Sequence, residues 1–375
     1  MRILYFTQGY TPHDHRFVTA IKENGHKVDY LSLSTRSNAT ETRQLPESVR
    51  QFTLNKSTKP VAWVEYPGLV NKFKKIVLEW QPDVIHAGPI QSTAAIAAAS
   101  GCYPLVSMSW GSDMLMRAER SSLQRCLTRY VLQKSQVLIA DCQAVVDKAA
   151  TFGFVPERTI VFPWGVDLQH FKPGQSKDLR KSLHWQDKFV ILSSRSWEPI
   201  YGVDTVVKAF VLAAKQYPGL RMILLGQGRQ EKDIKRILAD NHLLQSVHFG
   251  GQVGYSDLPQ YYRSADLYVS ASQSDGSSVS LLESMACGLP SVVSDIPGNR
   301  EWISPDVQGW LFKTGNFEML AEYLNVAASD RAVLTEMGRS ARLVAVSRAD
   351  WAKNSKKLNI AYQMALELSK VKGIG

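Results

Sequence analysis

DLYVSASQSDGSSVSLLESMACGLPSVVSDIPGNR, residues Asp266 to Arg300, sets a strand, a polar glycine loop, a short helix and a second strand in immediate succession. The apolar run LYVSA has the length of a buried strand, and Gln273 to Ser278 is turn material. VSLLESMAC puts Val279, Leu282 and Ala286 on one helical stripe. Gly288 and Pro290 stop that helix. The spacing predicts Asp275 in the loop. It puts Glu283 about one turn above the helix start, its side chain leaning back toward the N-terminus. Both carboxylates then reach one small polar ligand. Between them the amides of Gly276, Ser277 and Ser278 face outward at the positive end of the helix dipole, where a phosphate is favoured by about 0.3–2 kcal/mol.

The same alternation extends outward through the chain. RILYFTQG reads as a first strand ending at Gly9, and PHDHRFVTAIKENG as a helix with Phe17, Val18 and Ile21 on one side. KVDYLSLS follows as a strand, the polar stretch from Thr35 to Pro60 resists assignment, and VNKFKKIVLEW is helical before the strand PDVIHAG. PLVSMSWGSD and QVLIAD supply further buried strands. In the second half, QDKFVILSSRSW ends at Arg195, RMILLGQGRQ at Gly226 and Gly228, SVHFGGQV at Gln252 and Val253, and ADLYVSASQSDG at Asp275. Repeated strand and helix predict parallel, doubly wound α/β sheets that bind ligand at the carboxyl ends of their strands. A length of 375 residues exceeds what one core serves, so two domains are expected. Four strands bring Arg195, the Gly226–Gly228 turn, Val253 and the Asp275 loop to one edge, where a nucleotide belongs. Arg195 suits a diphosphate because its planar fork binds two oxygens at once.

Composition narrows the class. With 45% hydrophobic and 21% charged residues the chain is ordinary globular material. No run approaches the roughly 18 apolar residues of a membrane span, and the start shows no signal-peptide core, so the chain is expected in the cytosol. Cys102, Cys126, Cys142 and Cys287 have no metal-ligand spacing and are expected as reduced, mostly buried thiols. The net charge of +10 invites a polyanion. Nucleic acid is excluded by the spread of the charge and by the lack of a helix-turn-helix, zinc-finger or aromatic RNA-binding signature. The densest basic segments, Lys72 to Lys75 and Arg117, Arg120, Arg125, Arg129 and Lys134, instead admit a peripheral place on the anionic inner face of a membrane. The first strand is not followed by G-x-G-x-x-G, so a dinucleotide cofactor is not expected. Gly9 still admits a phosphate.

The segment DGSSVSLLESMACGLPSVVSDIPGNRE resembles the donor-binding signature of retaining glycosyltransferases of family four. In that family two glutamates flank a glycine loop ahead of an Ala-Cys-Gly-x-Pro turn. Here Asp275 stands for the first glutamate and Glu283 matches the second. The resemblance continues through Trp110-Gly111-Ser112-Asp113, where the family has His-Gly-x-Asp, and through Phe162 to Pro173, the family's link between domains. It also covers Arg195, although Tyr201 holds the place of the family's lysine. Trp110 and Tyr201 therefore bring an aromatic ring and one neutral donor each where the family brings a titratable or charged group. Lys208 could compensate for the missing lysine only by folding back.

The resemblance implies the GT-B architecture, two Rossmann-like domains facing a central cleft. It divides the chain into an acceptor domain over residues 1–165, completed by a tail helix from about 350, and a donor domain over 166–349. It implies transfer of a hexosyl unit from a nucleoside-diphosphate sugar to a saccharide or lipid-linked saccharide, as in polysaccharide or glycolipid synthesis. Arg195, Asp275 and Glu283 are the expected catalytic groups. Gly9, Asp113, Gly226, Gly228, Val253, Gly276, Ser277, Ser278 and Val279 are expected around the donor, and His13, His86, Trp110 and Tyr201 on the acceptor side, with His15 another nearby histidine. The sequence contains no Asp-x-Asp. Transfer without a metal or other cofactor is expected, the leaving-group charge being met by Arg195 and backbone amides. A nucleotide-sugar epimerase or synthase of the same fold, or an inactive nucleotide-sugar-binding scaffold, is the alternative.

Overall fold

The computed structural model describes residues 1–34, 41, 43–57, 61–174 and 177–372. Part of the unassigned stretch from Thr35 to Pro60 lies outside these residues. The chain divides into two units, residues 1–163 with 352–375 and residues 164–351.

The first unit is built on strands β1 (Arg2–Thr7), β2 (Lys27–Ser34), β3 (Arg50–Asn55), β4 (Val84–Ala87), β5 (Leu105–Met108), β6 (Val137–Ala140) and β7 (Thr159–Val161). They form one sheet in the order β3-β2-β1-β4-β5-β6-β7, and every neighbouring pair is parallel. Leu4 and Phe6 of β1 join a core with Phe73 and Trp80 of helix Tyr66–Trp80 and the alanines of helix Thr93–Ser100. Tyr5, between them, meets Phe17 and His86 on the opposite face. Both faces are covered, which is why these strands read as unbroken apolar runs. Helix Lys357–Lys372 packs on β4 to β7 and buries Leu358, Tyr362 and Ala365 completely, at the spacing of one helical face. Trp351 is half-buried at the start of the preceding short helix.

The second unit is built on β8 (Phe189–Ser193), β9 (Leu220–Leu225), β10 (Val247–Gly251), β11 (Leu267–Ser270), β12 (Ser291–Ser294) and β13 (Gly309–Phe312). Their order is β10-β9-β8-β11-β12-β13, again with every neighbouring pair parallel. Phe189 and Ile191 face one core with helix Val203–Gln216, while Val190 and Leu192 face a second with helix Val279–Ala286. That helix was expected to show a single apolar stripe. Ser280 to Ala286 are instead all buried, because the helix is held between the sheet and helix Arg331–Arg348. Its serines are satisfied internally, Ser284 donating to the Leu281 carbonyl at 2.7 Å.

All four cysteines are free. Cys142 and Cys287 are buried and Cys102 is half-buried, but Cys126 is exposed on helix Ser122–Lys134, contrary to the expectation of mostly buried thiols. Among the described residues no helix is long and apolar enough to cross a membrane.

Candidate active site

Strands β10, β9, β8 and β11 are consecutive neighbours running in one direction. Their carboxyl ends therefore release Gln252, Gly226, Arg195 and the Asp275 loop along a single edge. Gly226 has a φ of +88°, and a Cβ there would lie 2.6 Å from the carbonyl oxygen of Arg195. The glycine lets two strand ends close together beneath the arginine. Gly228 lies against the backbone of Trp197 in the same way. On the other side of the site, a Cβ on Gly298 would meet the carbonyl oxygens of Gly276 and Asp275. That glycine, which the sequence did not single out, lets helix Pro297–Arg300 press on the loop.

Arg195 is the hub. One terminal nitrogen donates to Ser280 Oγ at 3.0 Å and lies 3.4 Å from Ser278 Oγ, and the other is ion-paired with Asp275 at 2.8 Å. Its guanidinium lies over the ring of Tyr201, 4.2 Å from the centroid. Burial works against the charge, but the Asp275 carboxylate and the surrounding tyrosines hold the guanidinium above its ordinary range. Tyr201 thus contacts the phosphate-binding candidate itself, a cation–π partner in place of a second cation. Lys208 does not fold back toward it and pairs with Asp204 at 3.0 Å, one turn away on its own helix.

The two carboxylates expected to share a ligand have separate protein partners. Asp275 is engaged by Arg195, while Glu283, buried in the second turn of its helix, accepts from the Tyr262 hydroxyl at 2.8 Å. With its proton committed there, Tyr262 accepts from Ser194, 3.0 Å away. Burial, then the Glu283 charge, hold the phenol well above its ordinary pKa, so it remains a donor. Tyr268 donates to Ser280 Oγ at 2.8 Å, which links the arginine to the interior. Tyr262, Tyr268, Ser194 and Ser280 escaped the sequence reading.

Gly276, Ser277 and Ser278 are buried beside Arg195, and Val279 is half-buried at the helix start. The Ser278 side chain makes no cap hydrogen bond, so the first-turn amides retain the capacity to bind an anion. Val253 packs against the core on the β10 side. Among the described residues no group of three or more His, Cys, Asp or Glu side chains is placed to hold a metal ion.

In the first unit the expected residues separate into two kinds. Gly9 is buried in the bend after β1, and His13 meets the Trp110 ring edge-on at 5.6 Å between centroids. These lie around the carboxyl edge of the sheet. Trp110 Nε1 is buried and makes no hydrogen bond among the described residues. His15 is taken up by the Tyr10 hydroxyl at 2.8 Å. Two expectations are corrected. His86 lies within β4, fully buried, with Nδ1 2.9 Å from the Tyr362 hydroxyl, so it supports packing and not an acceptor. Asp113, expected at the donor, is 3% exposed. Its carboxylate accepts from the Ile90 amide at 2.9 Å, from Ser109 Oγ at 2.7 Å, and from the amides of Trp110 and Met114 at 2.9 and 3.0 Å. A carboxylate with four internal donors braces the loops after β4 and β5; burial still raises its pKa.

Residues 175–344 match the family described as glycosyl transferases group 1, and residues 2–142 match the family described as glycosyl transferase 4-like. Over 305 residues the chain is 23% identical to the GDP-mannose-dependent monoacylated alpha-(1-6)-phosphatidylinositol monomannoside mannosyltransferase of Corynebacterium glutamicum, covering 76% of this chain and 77% of that one. Over 363 residues it is 24% identical to the UDP-Gal:alpha-D-GlcNAc-diphosphoundecaprenol alpha-1,3-galactosyltransferase of Escherichia coli, covering 91% and 87%. The crystal structure of Anabaena HepE in complex with UDP has the same fold, with a TM-score of 0.79 at 22% identity over 97% of this chain and 100% of that one.

Proposed function

The chain belongs to the glycosyltransferases of group 1 with a family-four-like first half, and on that premise we propose how it transfers sugar from its nucleotide-sugar donor. The donor diphosphate lies at the carboxyl edge of the second sheet, on Arg195 and the uncapped amides that follow Ser278. Glu283 accepts from the ribose hydroxyls, and Asp275 from a hydroxyl of the transferred sugar. The convergence of Arg195, Asp275, the open helix start and Glu283 on neighbouring strand ends is the observation that carries this reading.

Transfer proceeds at the front face of the anomeric carbon. The bond from that carbon to the phosphate oxygen breaks as the acceptor oxygen bonds to it, and the acceptor proton passes to the departing phosphate. Configuration is retained. Arg195 and the helix amides stabilise the developing phosphate charge without a metal. The acceptor is a saccharide or lipid-linked saccharide on the first unit. In support, the two relatives described above are named for a phosphatidylinositol mannoside and a diphosphoundecaprenol-linked sugar. The first unit also exposes Lys72, Lys74, Lys75, Arg120, Arg125 and Arg129 beside exposed Leu78, Met116 and Leu123. Exposed basic and apolar side chains of this kind suit an anionic membrane.

The test is a thermal-shift panel of uridine, guanosine and adenosine diphosphates in buffer containing a chelator. Ligand at 100 times its dissociation constant adds about 2.7 kcal/mol, so one nucleotide should raise the unfolding midpoint. Its sugar conjugate, supplied alone, should be slowly hydrolysed with no epimer formed. No response to any of the three would sink the assignment.

A further inference from the structure

Two phenols support the donor site without belonging to its loop or its helix. Tyr262 comes from helix Leu258–Arg263 and Tyr268 from β11. Their rings lie side by side, with centroids 6.2 Å apart and planes tilted by 43°, and both side chains are fully buried. Phenols so enclosed lie behind the site and act on a ligand only through the groups they hold. Burial raises the pKa of each, so each keeps its proton to donate.

A phenol has one hydrogen to donate, and these two go to different groups. The Tyr262 hydroxyl donates to Glu283 Oε2 at 2.8 Å, with the Ser280 carbonyl a longer alternative at 3.3 Å. Ser194 Oγ, 3.0 Å away, donates in turn to Tyr262 and so directs its proton toward the carboxylate. The last torsion of a glutamate is broad, so a donor on one carboxylate oxygen sets the plane in which the group meets a hydroxyl. The Tyr268 hydroxyl donates to Ser280 Oγ at 2.8 Å. The same Oγ accepts from Arg195 at 3.0 Å, which fills both of its acceptor positions. Arg195 therefore has two anchors, Ser280 on one terminal nitrogen and Asp275 on the other. When Asp275 turns to the transferred sugar, Ser280 and the ring of Tyr201 are left to keep the guanidinium in place.

We infer that Tyr262 is the positioning residue for ribose recognition and that Tyr268, through Ser280, is the positioning residue for diphosphate recognition. This rests on the donor placement proposed above, and its consequence is that removing one oxygen atom behind the site relaxes recognition of one part of the nucleotide and spares the other. Calorimetry on the full chain would compare uridine, guanosine and adenosine diphosphates with their 2′,3′-dideoxy counterparts and with the corresponding monophosphates. For the nucleotide that binds, Tyr262→Phe lowers the preference for ribose over dideoxyribose about 10-fold and leaves the preference for diphosphate over monophosphate unchanged. Tyr268→Phe does the reverse. The preference that each variant retains shows that its site is folded. Ser194→Ala and Ser280→Ala reproduce the two patterns from the other end of each hydrogen bond, and they carry the test should a phenylalanine variant not fold. A merely structural hydroxyl would lower both preferences together or weaken all nucleotides equally, and either result, or two preferences that neither substitution moves, overturns the inference. Failure of the wild-type chain to bind any of the three diphosphates sinks the donor placement and this inference with it, whereas intact wild-type binding with unmoved preferences sinks this inference alone.

Discussion

Asp275 holds the same guanidinium that a diphosphate would need, at 2.8 Å. Removing its charge should therefore separate two properties. Asp275→Asn frees Arg195 for phosphate, so nucleoside diphosphate affinity should rise by about 10-fold, or roughly 1.4 kcal/mol. Turnover should fall, because the contact to the transferred sugar exists only while that sugar is present. Calorimetry and steady-state kinetics on the same variant decide this, and an unchanged affinity would mean that Asp275 does not compete for the arginine. Glu283→Gln keeps the side-chain shape and an acceptor for Tyr262 but removes the charge. Donor affinity should weaken about 10- to 100-fold with the fold intact; a dissociation constant equal to that of the wild type would place the ribose elsewhere. Arg195, Asp275 and Glu283 were legible in the sequence because strand ends and glycine loops carry local signals. Their supporting hydroxyls were not. Tyr262 reaches Glu283 from helix Leu258–Arg263, and no spacing along the chain announces a contact made by tertiary packing.

Elements show the same division. The central strands were readable as apolar runs, whereas β3, with the sequence RQFTLN, is a largely exposed edge strand and β7 has three residues. His86 was expected on the acceptor side, but it lies in β4, one residue from its end, against the helix that carries Tyr362. Burial holds its imidazole neutral and pushes protonation down to about 3. The unfolded chain takes up that proton near its ordinary value of about 6.5. His86 therefore contributes stability above pH 6.5 that is lost as the pH falls toward 3. Asp14 acts oppositely, since burial pushes its carboxyl up to about 6 and its unfavourable contribution eases as the pH falls through that value. The two offset each other in the wild type. Urea unfolding between pH 6 and 4 should show the stability of His86→Gln rising relative to the wild type by up to about 1.4 kcal/mol for each unit that the pH falls. Parallel curves would exclude a neutral buried imidazole as the cause.

At the scale of the molecule, the charge of +10 is the property with the widest reach. Each basic group near an anionic surface contributes about 1 kcal/mol, and screening shortens from about 10 Å at 0.1 M salt to about 3 Å at 1 M. The chain should co-sediment with anionic vesicles at low salt, release at high salt and ignore neutral vesicles. Arg120, Arg125 and Arg129 changed together to glutamine should weaken this without altering nucleotide binding, and equal sedimentation of the two proteins on both lipids would dismiss the membrane surface. Sequence periodicity revealed the α/β architecture. It could not reveal which of the charges are exposed and which are paired, because that depends on tertiary packing. The path of the chain has a further consequence. The first unit needs both residues 1–163 and residues 352–375, while the second is one continuous stretch. On the ribosome the amino-terminal sheet must wait, with the ground of β4 to β7 uncovered, until the helix Lys357–Lys372 has emerged. The second unit, although translated later, has all of its strands and helices in hand first, so the order of completion during synthesis reverses the order of the genetic message.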